Sequence, residues 1–166
     1  ARLGRAPLTN LLRSGTDAER MHRVALVAAI VLGVAIRAFH VLKADFPLND
    51  GGLFYVMVRD LQANSYQLPA FTSFNQADIP FGYPPLTMYL AAFLDDVTPI
   101  GLMTWFRLLP MLATCGTVVA FAFLARDLLR SRLAVLGAVL AFALIPRTFI
   151  WLLMGGGLTR SFGLLF

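Results

Sequence analysis

Three apolar runs, each long enough to cross a lipid bilayer as a helix, constrain this sequence more than any other feature. They cover residues 24–42, 107–125 and 133–154, and a further apolar segment begins within residues 155–166. A helix that crosses the hydrocarbon core needs about 20 predominantly apolar residues. The sequence therefore predicts an all-α integral membrane protein with three full transmembrane helices and the start of a fourth apolar segment.

The amino-acid composition indicates the same class of protein. Of the 166 residues, 58% are hydrophobic and only 14% are charged, which is unlike a soluble globular domain. The net charge of +5 does not indicate nucleic-acid binding, because the basic residues gather before residue 24 and around Arg130. The single cysteine, Cys115, lies in an apolar run and excludes a disulfide framework within the chain.

The charges of the connecting segments predict the orientation in the membrane. Residues 1–23 contain five arginines and residues 126–132 contain three, whereas residues 43–106 contain six aspartates. Short basic segments stay on the cytoplasmic side. We therefore expect a cytoplasmic N-terminal tail (1–23), a cytoplasmic turn (126–132) and a large external loop (43–106), in a protein of the cytoplasmic (inner) membrane.

Two short helices are predicted within the external loop. Apolar residues recur at helical spacing over residues 51–62, and the pair Pro84-Pro85 opens a second apolar helix near residues 84–94. Both segments are too short to cross a bilayer. We expect them to lie in the membrane interface as amphipathic helices.

Several charged residues near these segments have simple structural interpretations. Asp78 is predicted at the surface, and Asp95 and Asp96 are predicted to be solvated, because adjacent residues on a helix diverge by about 100°. Arg37 and Arg107 are expected to extend from their helices toward the lipid headgroups. For Arg37, contact with a lipid phosphate or a buried carboxylate is the functional alternative.

The third apolar run contains Pro146 and Arg147 near its outer end. A proline inside a membrane helix removes a backbone donor and is tolerated where another group satisfies the freed carbonyl. We therefore predict a kink at Pro146, at a place where a cavity or a neighbouring helix supplies that group, and we expect Arg147 to extend toward the headgroups.

The predicted outer side of the protein brings a carboxylate close to several cations. Such a set suits the transfer of a group from a phosphate-bearing lipid, in which the carboxylate accepts a proton from an acceptor hydroxyl and arginines or a metal stabilise the leaving phosphate. A purely structural interpretation is that Asn49 or Asp50 caps the following helix. The charged residues concerned are Asp50, Asp78, Arg107, Arg147 and Arg160.

The chain resembles the membrane glycosyltransferases of the C-type (GT-C) fold, in particular the polyprenyl-phosphate-sugar-dependent group that includes protein mannosyltransferases and aminoarabinose transferases. Three stretches carry the resemblance: the acidic segment LNDGG (48–52) after the first span, the motif YPPL (83–86), and the sequence GGGLTRSFG (155–163). The resemblance extends from about residue 24 to residue 166 and covers the N-terminal part of such an enzyme.

The resemblance implies a function and a set of site residues. Asp50 is implied as the catalytic base of an inverting sugar transfer, and Tyr83 is implied to line the donor pocket. Arg160 is implied as a phosphate contact, with Asn49 and Arg147 as further substrate-binding residues. The implied partners are a lipid-linked sugar donor and membrane lipids, and the cofactor stays open, with a divalent metal as one option.

A second function, from a different class, is a non-catalytic membrane subunit related to these enzymes that packs within a larger membrane complex. The sequence begins without methionine and ends inside an apolar segment, so we expect a piece of a longer protein. Three spans hardly enclose a donor cavity by themselves, and this favours the subunit alternative.

Overall fold

The computed structural model describes residues 8–44, 51–154 and 157–166, with side chains from residue 17 onward. The described chain is mostly helical. The chain also contains two 3-10 turns, Phe74–Gln76 and Pro146–Thr148. The helices and strands are α1 (Leu8–Leu42), α2 (Gly51–Ala63), β1 (Phe71–Thr72), β2 (Ile79–Pro80), α3 (Leu86–Val97), α4 (Leu102–Leu128), α5 (Arg132–Leu144), α6 (Ile150–Leu153) and α7 (Gly157–Leu165).

Two of these helices are long and apolar enough to cross a membrane. One is the Asp17–Leu42 part of α1, with 26 residues, and the other is α4, with 27 residues. At about 1.5 Å per residue each is roughly 40 Å long, which exceeds the hydrocarbon core. Both extend beyond the predicted spans of 24–42 and 107–125, and α1 runs without a break into the basic segment expected as a tail.

The third predicted span, 133–154, is not one continuous helix. Helix α5 has 13 residues and ends at Leu144, where a 3-10 turn and the short helix α6 follow. Thirteen residues rise about 20 Å, which is less than the thickness of the hydrocarbon core. The break follows from Pro146, which has no N–H to donate to the carbonyl of Phe142, four residues earlier.

Arg37 of α1 supplies the hydrogen-bond donors that the carbonyl groups at the end of α5 lack within their own helix. Its Nη1 donates to the carbonyl oxygen of Ala143 at 3.2 Å, and its Nη2 donates to that of Phe142 at 3.3 Å. Nη1 also donates to the carbonyl of Gly33 at 3.0 Å, and Nη2 to the hydroxyl of Thr148 at 3.3 Å. The prediction of a kink at Pro146, where a neighbouring helix satisfies the freed carbonyl, is confirmed.

The expectation that Arg37 extends to the headgroups is wrong. The residue is fully buried, 0% exposed, and its guanidinium carbon lies 4.5 Å from the centre of the Phe149 ring. A cation at the carboxyl end of a helix also interacts favourably with the helix dipole. The side chain therefore turns inward to cap α5 instead of outward to lipid.

Helices α1, α4 and α5 pack against one another, and small residues allow their close approach. Alanines 29, 122 and 125 lie in the cluster that joins the three helices, together with Leu26 and Val139. A Cβ built on Gly33 would lie 2.9 Å from the Cβ of Ala143. Close packing through small residues is typical of helices in membranes, where backbones approach without a hydrophobic driving force.

The segment between α1 and α4 forms a separate layer made of α2, α3 and a two-stranded antiparallel hairpin. The hairpin pairs Phe71 with Pro80 and Thr72 with Ile79. The two helices predicted near 51–62 and 84–94 are present as α2 and α3, and their position in a membrane interface stays a prediction. Their buried faces join the amino-terminal half of α4 in one core cluster, formed by Phe54, Met57, Val58, Leu61, Met88, Ala91, Ala92, Leu102, Phe106, Leu109 and Leu158.

Candidate functional site

The predicted catalytic residue, Asp50, belongs to the segment before helix α2. Helix α2 begins at Gly51, which is buried. Asp50 and Asn49 directly precede it and lie outside the described residues. The role of Asp50 as a base, and the alternative that Asn49 or Asp50 caps α2, both stay predictions.

Tyr83 lies beside this end of α2. Its ring meets the ring of Phe54 edge-to-face, with the ring centres 4.7 Å apart. Phe54 is one helical turn beyond Asp50 and Gly51 in the sequence and is buried, whereas Tyr83 is 43% exposed. The Pro84-Pro85 segment precedes α3 and fixes the backbone there, since proline restricts φ and suits the start of a helix. The phenol of Tyr83 is therefore accessible close to the start of α2.

Helix α7, which carries Arg160, packs onto the same layer. Leu158 is fully buried in the cluster that contains Phe54, and Phe162 packs against that cluster. The Gly157–Leu165 helix also contacts α4, where a Cβ on Gly116 would approach Leu165 within 3.2 Å. The backbone of α7 is thus held against both α4 and the α2–α3 layer.

Arg147 and Arg160 both lie close to Trp151. The guanidinium carbon of Arg160 lies 4.5 Å from the centre of the Trp151 ring, a cation–π arrangement. Arg147 is exposed and lines an open groove of about 470 Å³ together with Pro146, Ile150 and Trp151. An apolar groove lined by Arg147 and Trp151, with Arg160 at the same tryptophan, suits a ligand that has both a phosphate and an apolar part.

The carboxylate of Asp60 holds the hairpin onto α2. It accepts hydrogen bonds from the Thr72 hydroxyl at 2.7 Å, the Ser73 hydroxyl at 2.6 Å and the Ser73 amide at 2.8 Å. Burial alone would raise the pKa of Asp60, but the bonds from Ser73 and Thr72 outweigh it and lower the pKa below the ordinary value. Asp60 is therefore a structural acid.

A second network of polar side chains joins α2 to α3. Arg59 donates to Asp95 Oδ2 at 3.0 Å, and the Gln62 amide donates to Asp95 Oδ2 at 3.0 Å and to Asp96 Oδ1 at 2.8 Å. The Tyr66 hydroxyl donates to Asp96 Oδ2. Asp96 is exposed, as predicted, whereas Asp95 is half-buried, and both carboxylates accept hydrogen bonds from side chains of α2 and the turn after it, which the sequence did not predict.

The electrostatics of this network follow from its contacts. Burial and the hydrogen bond to Asp96 raise the pKa of Tyr66 to about 12. The hydrogen bond from the guanidinium to the Tyr55 hydroxyl raises the pKa of Arg59, with Asp95 adding to the effect. Asp78, by contrast, is exposed as predicted, in a left-handed backbone conformation with φ of 48°.

The expectation that Arg107 extends to the headgroups is wrong. Its Nη2 donates to the carbonyl oxygen of Val41 at 3.2 Å, and its Nε is buried. Val41 is the penultimate residue of α1, where helix carbonyls lack partners within the helix. Arg107 therefore caps α1, much as Arg37 caps α5.

Metal-binding residues do not cluster in the part of the chain that the structure describes. Across residues 8–44, 51–154 and 157–166, no group of three or more His, Cys, Asp or Glu side chains is placed to hold a metal ion. No known protein family, curated protein or solved structure matches this chain.

The predicted site residues that the structure describes fall in two regions. Tyr83 lies at the Phe54 end of α2, and Arg147 and Arg160 lie around Trp151. Helix α7 connects the two, because Leu158 belongs to the same core cluster as Phe54 while Arg160 lies over the Trp151 ring. Sequence reasoning missed Trp151, although this residue is one of only two tryptophans and stands in an apolar stretch.

Proposed function

We propose that this chain forms part of a membrane glycosyltransferase that moves a sugar from a polyprenyl-phosphate donor to an acceptor on the external face. One observation above all supports the proposal. Leu158 of α7 belongs to the core cluster that also contains Phe54 of α2, and Tyr83 packs on Phe54, so Arg160 and Tyr83 lie on segments that share one core with the helix that follows Asp50. A base and a phosphate-binding cation must be held close together in such a transfer.

The proposed chemistry is an inverting displacement. The acceptor oxygen forms a bond to the anomeric carbon of the sugar, and the bond from that carbon to the phosphate oxygen breaks. Asp50 accepts the proton of the acceptor hydroxyl, and the polyprenyl phosphate leaves with the bonding electrons. Arg160, with Arg147 nearby, stabilises the negative charge on the phosphate.

The groove beside Trp151 suits the apolar part of the donor. Its lining by Pro146, Ile150 and Trp151 offers contact to a prenyl chain, while Arg147 at the same groove offers a charge to the phosphate. The guanidinium carbon of Arg160 also lies 4.5 Å from the centre of the Trp151 ring. An arginine held against an aromatic ring loses less rotamer freedom when it binds a phosphate.

Substitution of Asp50 tests the proposed function. In the complete protein, Asp50→Asn keeps the size and polarity of the side chain but removes the base, so the transfer rate is expected to fall by about 10²- to 10⁴-fold. Transfer is measured in membranes supplied with polyprenyl-phosphate donors that carry radiolabelled sugars. The matched control is Asp78→Asn, which neutralises an exposed acid of the same loop and should leave the rate unchanged.

Two results would count against the proposal. Equal transfer by wild type and Asp50→Asn would remove Asp50 from the chemistry. Absence of transfer by the wild type with every hexosyl and pentosyl donor, together with recovery of the protein in a stable complex with other membrane proteins, would favour the non-catalytic subunit.

A further inference from the structure

A second groove lies at the opposite end of α4 from the α2–α3 layer. It has a volume of about 670 Å³ and is lined by residues of α1, α4 and α5. It lies where α4 ends and α5 begins, at the level of the basic turn 126–132. Neither the proposed sugar transfer nor the site around Trp151 uses it.

The mouth of this groove is strongly basic. Four arginines line it: Arg23 from α1, Arg126 from α4, Arg130 from the turn, and Arg132 at the start of α5. The acidic residue among the groove's lining is Glu19, which pairs with Arg23 at 3.2 Å. The lining therefore carries a net excess of positive charge.

The floor of the groove is apolar. On α1, Val27 and Ile30 follow Arg23 by one to two helical turns, and on α4, Val119 and Phe123 precede Arg126 by similar intervals. Two turns of helix rise about 11 Å. Both helices thus carry their cations at one end of the groove and their apolar side chains at the other.

We propose that this groove binds an anionic phospholipid. The arginines would hold the phosphate through paired N–H donors, and the acyl chains would lie along Val27, Ile30, Val119 and Phe123. Basic pockets between membrane helices on the cytoplasmic side suit anionic headgroups. A free phosphate would leave the apolar floor without a partner, so the lipid fits the whole groove better.

The proposal rests on α1 and α4 crossing a membrane, and it is independent of the proposed sugar transfer. The substitution Asp50→Asn should leave lipid binding at this groove unchanged, because the groove lies at the other end of the helices. Conversely, loss of the bound lipid would not by itself show that the protein is not an enzyme.

Native mass spectrometry of the purified full chain tests the proposal. The chain in detergent is mixed with equal amounts of phosphatidylglycerol and phosphatidylcholine that have the same acyl chains, and retained lipid is counted. We expect phosphatidylglycerol to be retained in preference, and Arg130→Gln to weaken its retention about fivefold. The matched control is Arg20→Gln, an exposed arginine of α1 that does not line the groove and should change nothing.

A second variant tests the apolar floor without a change in charge. Val119→Trp fills the groove from α4 and should reduce retention of phosphatidylglycerol while the helical circular dichroism stays that of wild type. Equal retention of the two lipids by the wild type would overturn the proposal. So would an equal loss in Arg20→Gln and Arg130→Gln, or displacement of the lipid by inorganic phosphate with no effect of Val119→Trp.

Discussion

At the scale of single residues, Arg37 shows how a buried charge is made tolerable by a break in a neighbouring helix. Pro146 removes the donor that the carbonyl of Phe142 would otherwise receive, and the helix end exposes the carbonyl of Ala143. Arg37 donates to both oxygens, and the Thr148 hydroxyl also donates to Phe142, at 2.8 Å. The charge and the break therefore depend on each other.

Replacement of Arg37 by methionine should destabilise the protein by about 3 kcal/mol, because the carbonyls of Phe142 and Ala143 lose hydrogen bonds to a charged donor. Methionine keeps most of the side-chain volume, so the loss reports on the polar contacts. The measurement is the free energy of unfolding in mixed detergent micelles, followed by circular dichroism. Arg147→Met, at an exposed arginine close by, is the control and should cost less than about 0.5 kcal/mol.

The same substitution should cost about 1 kcal/mol less in a Pro146→Ala background, because residue 146 then has an N–H that can donate to Phe142. This double-mutant cycle separates capping from general packing. An identical cost of Arg37→Met in both backgrounds would contradict the capping role.

At the scale of helices, α1 closely approaches α5 at Gly33. Any side chain at Gly33 meets Ala143 and Val118, at 2.9 and 3.2 Å from the added Cβ. This contact brings Arg37, one turn further along α1, within reach of the end of α5. The glycine and the arginine thus act together, the first by allowing the approach and the second by capping.

Gly33→Ala should therefore destabilise the protein by about 1–3 kcal/mol through overpacking. Ala143→Gly removes the opposing Cβ and should restore part of that loss. Gly137→Ala in α5 is the control, since nothing lies within 4 Å of the added methyl, and it should stabilise the helix by as much as about 1 kcal/mol. Unfolding free energies measured as above compare Gly33→Ala, the double variant Gly33→Ala/Ala143→Gly and Gly137→Ala with wild type, and a stability of Gly33→Ala equal to wild type would refute the close approach.

Helices were more predictable from this sequence than the partners of polar side chains. Hydrophobic periodicity and proline placement predicted α2 and the region of α3, because those signals are local. The partners of Arg37, Arg107 and Asp95 could not be predicted, because each lies on another helix and depends on packing. The one available signal was Pro146, whose missing N–H predicted an unsatisfied carbonyl without telling which side chain would fill it.

At the scale of the whole molecule, the distribution of charge predicts how the protein is oriented in the membrane. The basic groove lies at the end of the helices where residues 126–132 connect α4 to α5, and the acidic segment with α2 and α3 lies beyond the other end of α1. A cytoplasmic basic end and an external acidic layer satisfy the positive-inside rule at both connections. The proposed catalytic face and the proposed lipid groove would then lie on opposite sides of the membrane.

Labelling of single cysteines tests this orientation. In a Cys115→Ser background, which removes the sole cysteine, Ala77→Cys places a thiol in the exposed hairpin and Ser131→Cys places one in the exposed turn before α5. A membrane-impermeant maleimide added to intact cells should label position 77 and should label position 131 only after the membrane is permeabilised. Labelling of 131 and not 77 would invert the topology, and would place both Asp50 and the α2–α3 layer on the cytoplasmic side, where the proposed external transfer could not occur.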